Sequence, residues 1–252
     1  MSDAQTVYLN GAFLPIEEAH IPVLDRGFIF GDGIYEVVPV YGRRPFRLPH
    51  HLRRLARSLA AIGIDNPLDD AGWRELVAGL VSRHPWPDQF IYMQVTRGVA
   101  RRDHAFPKGA TPTVFAMASP FVALAPELRE QGLSVITRAD DRWLHCDIKS
   151  ISLLGNVLAK QEAVEAGAAE SVMFRDGMLT EGASSNIWVV RDGRVLGAPM
   201  DHLVLEGIRV ELIGELCEAQ GIAWELRRIT REEVFAADEL MLTSATREIL
   251  PI

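Results

Sequence analysis

Three of the chain's 26 basic residues are lysines: Lys108, Lys149 and Lys160. Arginine keeps its proton inside a protein, whereas a desolvated lysine can lose it and then act as nucleophile and base. Lys108 lies in Pro107-Lys108-Gly109, which reads as a solvated loop. Lys160 reads as a snorkelling surface charge on an amphipathic helix. Lys149 follows Trp143-Leu144-His145-Cys146-Asp147-Ile148, a strand-like run, and precedes a helix. A Schiff-base lysine could stand there; an ordinary surface lysine is the competing reading. Glu181-Gly182-Ala183-Ser184-Ser185-Asn186 is a small, hydroxyl-rich bend carrying one carboxylate. Arg53, Arg54 and Arg57 lie off an apolar helical stripe, as a solvated basic face or with one of them forked onto a phosphate or carboxylate. In an extended segment Arg102 and His104 point the same way. A guanidinium beside an imidazole suits a small carboxylate, and scattered loop charge is the alternative. Cys146 and Cys217 form neither a disulfide framework nor a metal spacing and read as reduced thiols.

The elements that must position these groups are legible from pattern. Asn10-Gly11, Asp176-Gly177 and Asp192-Gly193 each sit between apolar runs and predict hairpins. The glycine-rich stretch from Asp25 to Gly33 lacks the strand-to-helix context of a dinucleotide site and reads as a turn delivering Tyr35 onto a strand, Ile34 to Val40. Leu52, Leu55, Leu59 and Ile62, then Trp73, Leu76, Val77 and Leu80, predict two amphipathic helices. Phe90 to Val95 and Thr113 to Met117 predict neighbouring strands. Strands are expected at Leu133 to Thr137, Trp143 to Ile148, Ile222 to Leu226 and, last, Glu239 to Thr243. A helix is expected from Ser152 to Ala166, with Leu153, Val157, Gln161 and Val164 along one face. Another is expected from Ile208 to Gln220. Thr230-Arg231-Glu232-Glu233 predicts a capping box.

At 252 residues the chain has ample area for a core in one large domain or two small ones. Two prolines and small residues across 118–126 mark a linker between an α+β domain over 1–117 and a second domain over 127–252. A net charge of −8 and a pI of about 5.4 argue against nucleic acid or an anionic membrane as partner. No run has membrane-spanning length, and the start, Met1 to Gln5, lacks the basic and apolar regions of a signal peptide. The expected location is cytoplasmic, with no metal.

With these segments in place the chain resembles, along nearly its whole length, the fold type IV pyridoxal-phosphate aminotransferases, and within them the D-amino-acid branch. The resemblance rests on Asp25-Arg26-Gly27 with Phe30 to Glu36, His51 to Leu55, Thr96-Arg97-Gly98 with Arg102-Asp103-His104, Cys146 to Ser150, Leu158 to Gln161, and Thr180-Glu181-Gly182. It implies a smaller amino-terminal α+β domain and a larger carboxy-terminal, β-barrel-like domain with helices. It implies pyridoxal 5'-phosphate bound covalently to Lys149, with Glu181 facing the ring nitrogen and Arg54 on the phosphate. Leu205, Ile208, Arg209, Ser244 and Ala245 would line the same site. Tyr35, Arg102 and His104 would receive the substrate carboxylate, in a trap shared between the subunits of a homodimer. The implied reaction moves the amino group of a D-amino acid to a 2-oxo acid such as 2-oxoglutarate. Branched-chain L-aminotransferase, (R)-amine transaminase and aminodeoxychorismate-lyase-like activities are the alternatives, with a non-catalytic relative as a different class. Arg209, Ala183 and Ala245 stand where the family commonly has hydroxyl residues, so weaker cofactor retention is expected. The family also continues for a strand and a helix beyond the position of Ile252.

Overall fold

The computed structural model describes residues 5–252. The opening stretch, read above for a targeting signal, lies outside them as far as Ala4. No described helix is long and apolar enough to cross a membrane. The chain divides into two compact units of nearly equal length, Met1–Val122 with Ile148–Ser152, and Ala123–Asp147 with Leu153–Ile252. Lys149 therefore clusters with the amino-terminal unit.

That unit contains β1 (Thr6–Leu9), β2 (Ala12–Pro15), α1 (Arg26–Phe30), β3 (Gly33–Tyr41), β4 (Arg44–Pro45), α2 (Leu48–Ala61), α3 (Asp70–Arg83), β5 (Gln89–Thr96) and β6 (Thr113–Pro120). The six strands form one antiparallel sheet in the order β2-β1-β6-β5-β3-β4. Asn10-Gly11 turns β1 into β2 with both residues at positive φ, as two-residue hairpins require. Along β3 the side chains alternate, so Ile34, Glu36 and Val38 are buried while Tyr35 and Val37 are half-buried. The apolar stripes of α2 and α3, Leu52, Leu55 and Leu59 with Trp73, Leu76, Val77 and Leu80, form one core with Ile34, Val38, Ile91, Met93, Val95 and Ala116. The Gly-rich stretch is more structured than a turn. Asp25 accepts from the Gly27 N–H and caps the short helix α1, which ends at Gly31.

The second unit contains α4 (Pro126–Gln131), β7 (Val135–Ala139), α5 (Leu154–Glu165), β8 (Glu170–Arg175), β9 (Met178–Gly182), β10 (Asn186–Arg191), β11 (Arg194–Gly197), α6 (Val210–Gln220), β12 (Ala223–Leu226), α7 (Arg231–Phe235), β13 (Glu239–Ser244) and β14 (Glu248–Pro251). Its strands form two open sheets, β12-β11-β10-β13-β14 and β7-β8-β9, and the described residues close no barrel. The architecture is α+β. Val172, Phe174 and Leu179 share a core with Ile187, Val189, Leu196, Leu242 and Leu250, so the two sheets bury apolar faces in common. Thr230 and Glu233 form the predicted reciprocal cap on α7.

Three expectations are corrected here. Trp143 to Ile148 is irregular loop, not strand: Trp143 and Leu144 are exposed, and the Cys146 N–H goes to the His202 carbonyl instead of a ladder. The stripe read on α5 faces outward, with Val157 and Val164 exposed; the helix instead packs through Ala159 and Ala163 onto Met173 and Ala183. Small side chains let the helix approach β8 closely, which an apolarity pattern does not register. Lys160 is not a purely solvated charge, since its ammonium donates to the Ala169 carbonyl. The strand β14 follows β13 and was not anticipated.

Candidate active site

Lys149 is tied down through its backbone. Its carbonyl accepts from the Tyr35 N–H at 3.0 Å, and its N–H donates to Ser58 Oγ at 3.3 Å. Ser150 bridges to Ile34, and the Ile151 N–H reaches the Gly33 carbonyl, so 149–151 runs beside the start of β3. The Lys149 Nζ lies 4.1 Å from the centroid of the Tyr35 ring. Among the described residues no carboxylate pairs with that amine and no acceptor hydrogen-bonds it; the Tyr35 ring lies beneath it, and its charge is felt at His51. Tyr35 itself stacks on Tyr92 at 5.8 Å, and the Tyr92 hydroxyl donates to Gln94 Oε1 at 2.7 Å. Burial pushes the Tyr92 phenol up to about 12, so it remains a donor.

On the opposite face of β3, Glu36 is fully buried and receives Arg54 through Nε at 2.7 Å and Nη2 at 2.9 Å. His51 Nδ1 lies 2.7 Å from the same carboxylate. Burial alone would raise the Glu36 carboxyl; the Arg54 and His51 partners outweigh it and hold the group well below the usual carboxylate range. Burial in turn lowers His51. Of the three arginines off the α2 stripe, Arg54 is buried and forked on a carboxylate, while Arg53 and Arg57 are exposed. No role for Glu36 or His51 was read from sequence. The available signal was spacing: His51 and Arg54 are three apart on α2, hence on one face.

Arg102 and His104 are exposed on the loop after β5 and gather on one aromatic ring. The Arg102 guanidinium is 5.4 Å, and the His104 ring 5.5 Å, from the Phe30 centroid. No hydrogen bond or ring contact joins this group to Tyr35 among the described residues.

In the second unit Glu181 sits near the end of β9, with 6 % of its surface exposed. Arg142 Nη1 donates to its Oε1 at 2.6 Å; the Leu205 N–H and the Asn186 amide donate to Oε2 at 3.1 and 3.5 Å. Burial pushes the carboxyl up to about 7, against Arg142 and the Leu205 N–H, which pull it down. Arg142 is locked by Asp140, which takes its Nε at 2.9 Å and Nη2 at 2.9 Å, and its guanidinium is held above its already high range. Asp140 is buried, which would raise it, but Arg142 brings it down to about 2. Asn186 also donates to the Leu205 carbonyl at 2.8 Å, fixing the loop that leads into α6. Gly207 in that loop has no room for a side chain, since a Cβ would stand 1.9 Å from Asn186 Oδ1. Arg209 precedes α6 and turns its guanidinium to the carbonyls of Ser244 and Ala245, at 2.9 and 3.3 Å. It therefore braces the turn after β13. Ile208 is buried beside it. Asn186 closes the bend read around Glu181, but Arg142 and Asp140 carried no sequence signal, because they act from an irregular stretch.

The family model of amino-transferase class IV matches residues 33–252. D-alanine aminotransferase of Bacillus licheniformis is 41 % identical over 247 residues, covering 98 % of this chain and 87 % of that protein. D-alanine aminotransferase of a Staphylococcus epidermidis strain is 39 % identical with the same coverage. A branched-chain aminotransferase from Thermoproteus uzoniensis, solved with norvaline, superposes with a TM-score of 0.87 at 28 % identity, over 98 % of this chain and 86 % of that one. Lys149, Glu181, Arg102 and His104 lie within the matched span, and the chain belongs to the class IV aminotransferase family.

Proposed function

We propose that the protein is a pyridoxal-phosphate aminotransferase that moves the amino group of a D-amino acid such as D-alanine to a 2-oxo acid such as 2-oxoglutarate. The observation that carries the reading is Lys149, held by its backbone on both sides with its amine over the Tyr35 ring. The donor set fits the cofactor. Among the described residues the chain offers an amine with no carboxylate paired to it, a buried carboxylate held by fixed donors, and the buried side chains of Arg54 and Arg209. His51 Nε2 and Asp147 Oδ1 are buried polar atoms with no partner among the described residues.

Bound pyridoxal phosphate supplies an electron-withdrawing ring that acidifies the Cα–H bond of an attached amino substrate. Lys149 would hold the group through Nζ until the substrate amine displaces it, and the freed amine would then take the Cα proton and return it to C4′ of the group. Glu181 would keep the ring nitrogen protonated by charge pairing, with Arg142, Asn186 and the Leu205 N–H holding its carboxylate in orientation. Arg54 and the backbone around Ile208, Arg209, Ser244 and Ala245 would bind the phosphate. Tyr35, Arg102 and His104 would fix the substrate carboxylate and with it the stereochemistry. The relatives named as D-alanine aminotransferases, at 41 % and 39 % identity, support the D-amino-acid donor. The working form is read as a homodimer, supported by the exposed apolar side chains of Val23, Phe28 and Phe106 in the same unit as Arg102 and His104. Buried, unpaired Cys146 and Cys217 support a reducing, cytoplasmic setting.

Borohydride reduction of the cofactor-loaded protein followed by peptide mapping tests the reading. Label is expected on Lys149 and is lost in Lys149→Ala; label elsewhere, or none, overturns it. Donor profiling with D-alanine, L-leucine and (R)-1-phenylethylamine completes the test. D-alanine is expected to lead, and preferential turnover of L-leucine would transfer the protein to the branched-chain reading.

A further inference from the structure

The loop that carries Arg102 and His104 has no regular secondary structure, yet two buried guanidiniums hold it. Arg26, at the start of α1 and 3 % exposed, directs Nε to Asp32 Oδ2 at 2.7 Å. Its Nη1 donates to the carbonyls of Asp103 and Ala105 at 2.6 and 3.4 Å, and its Nη2 to that of His104 at 3.5 Å. Arg97, 6 % exposed, reaches Asp32 through Nε at 2.8 Å and Nη2 at 3.0 Å, donates to the carbonyls of Ile62 and Gly63, and lies 3.6 Å from the Phe106 ring centroid. One carboxylate thus serves two guanidiniums, and each of them reaches the loop. Phe30 belongs to the same assembly, with the Arg26 guanidinium 4.8 Å from the ring that Arg102 and His104 share.

The loop is also pinned where it leaves β5. The Arg26 N–H donates to the Gly98 carbonyl at 2.9 Å, and the Arg97 N–H to the Asp32 carbonyl at 3.1 Å. Gly98 turns the chain at φ +91, where a Cβ would stand 1.9 Å from the Thr111 carbonyl oxygen. Burial would raise the Asp32 carboxyl, but the two arginines lower it, so it stays charged. Carbonyl oxygens are acceptors whatever the side chain, so an anchor on three of them fixes backbone position. Arginine offers five donors in a planar fork, which reaches a carboxylate and several carbonyls together; lysine offers three donors on one nitrogen.

We infer that Arg26, held by Asp32, is the positioning residue that sets where Arg102 and His104 stand, and thereby the preference for donors bearing an α-carboxylate. The inference rests on the proposed role of Arg102 and His104 in binding that carboxylate.

The test compares Arg26→Lys with Arg102→Ala and the parent protein. The first readout is amide hydrogen exchange over 99–108 in the cofactor-free protein. Arg26→Lys is expected to speed exchange there by roughly tenfold with β5 unchanged. Unchanged loop exchange overturns the inference. The second readout is kcat/KM in the holoenzyme for D-alanine and for D-alaninamide, which lacks the anion. Arg26→Lys is expected to lower the D-alanine value by about 10- to 100-fold, chiefly through KM, and the amide value by no more than about twofold. Equal losses on both donors overturn the inference. If Arg102→Ala also fails to distinguish the donors, the carboxylate reading itself falls. If Arg102→Ala discriminates and Arg26→Lys does not, only the positioning role falls. Should Arg26→Lys not fold, Asp32→Asn weakens the carboxylate that holds Arg26; the same donor-selective loss is expected of it, and a loss shared by both donors overturns the inference.

Discussion

Replacing Glu36 by glutamine keeps the shape of the side chain and removes its charge. The parent carboxylate sits at 0 % exposure and accepts from Arg54 Nε at 2.7 Å, from Arg54 Nη2 at 2.9 Å, and pairs with His51 Nδ1 at 2.7 Å. Both Arg54 Nη2 and His51 meet Oε2, so in the variant an NH2 placed there faces a guanidinium donor. Turning the amide over moves the clash to Arg54 Nε. Either way a cation is left buried without its anion, which costs about 3–5 kcal/mol. The assay is urea denaturation of the cofactor-free protein by linear extrapolation. The pair Glu36→Gln with Arg54→Met removes both charges and is expected to recover about 2 kcal/mol or more of that loss, since an apolar replacement of a buried pair is near neutral. The pH dependence has a definite sign. The folded carboxyl is held below its ordinary value of 4.5. Its stabilisation is therefore full above 4.5 and is lost as pH falls toward the folded value; that acid-side loss should be absent in Glu36→Gln. A loss under about 1 kcal/mol at neutral pH, or an unaltered acid profile, refutes the reasoning.

Glu181 has the opposite sign: burial raises it from 4.5 to about 7, so the cofactor-free protein should lose stability on the order of 3 kcal/mol as pH rises through that window. Glu181→Gln should flatten this slope in urea melts taken between those pH values; an unchanged slope contradicts the assignment. Gly207→Ala forces a Cβ against Asn186 Oδ1, displacing the loop whose Leu205 N–H serves Glu181. Pyridoxal-phosphate titration should show retention weakened by about tenfold or more, equal to ~1.4 kcal/mol, with far-ultraviolet circular dichroism unchanged.

What sequence made legible, and what it did not, follows from the range of each interaction. Hairpin turns at Asn10-Gly11, Asp176-Gly177 and Asp192-Gly193 were readable because positive φ is a demand on the residue itself, and each of these positions shows it. The stripes of α2 and α3 were readable because burial there follows from period. The α5 stripe was not, because two alanines determine how close the helix comes and four larger residues are left outside. The run from Trp143 to Ile148 carried strand-like composition with no neighbour to pair with. Open sheets in place of a barrel, and the strand β14, depend on which strands meet, a matter of long-range pairing. Among site residues, Lys149 and Glu181 could be singled out by chemical type. Glu36 and Arg142 could not, since each matters through a partner 18 or 39 positions away, and Asp140 matters by holding Arg142 in an irregular stretch.

The buried ion pairs bear on the chain's scarcity of lysine. Arg54 forks onto Glu36, Arg26 and Arg97 share Asp32, and Arg142 bridges Asp140 to Glu181. Each of these guanidiniums is nearly buried and serves two or more acceptors in one plane. A lysine in any of the four positions would bring the same charge but only a point of attachment, and a buried ammonium is easily driven to neutrality. The chain thus uses arginine where a cation must stay charged and hold geometry. It keeps a lysine at Lys149, where the proposed reaction needs an amine that can exchange a proton. The division predicts an asymmetry: Lys149→Arg preserves charge and should abolish borohydride labelling, while Arg→Lys at Arg26, Arg97 or Arg142 should leave Lys149 labelled and damage position instead of chemistry.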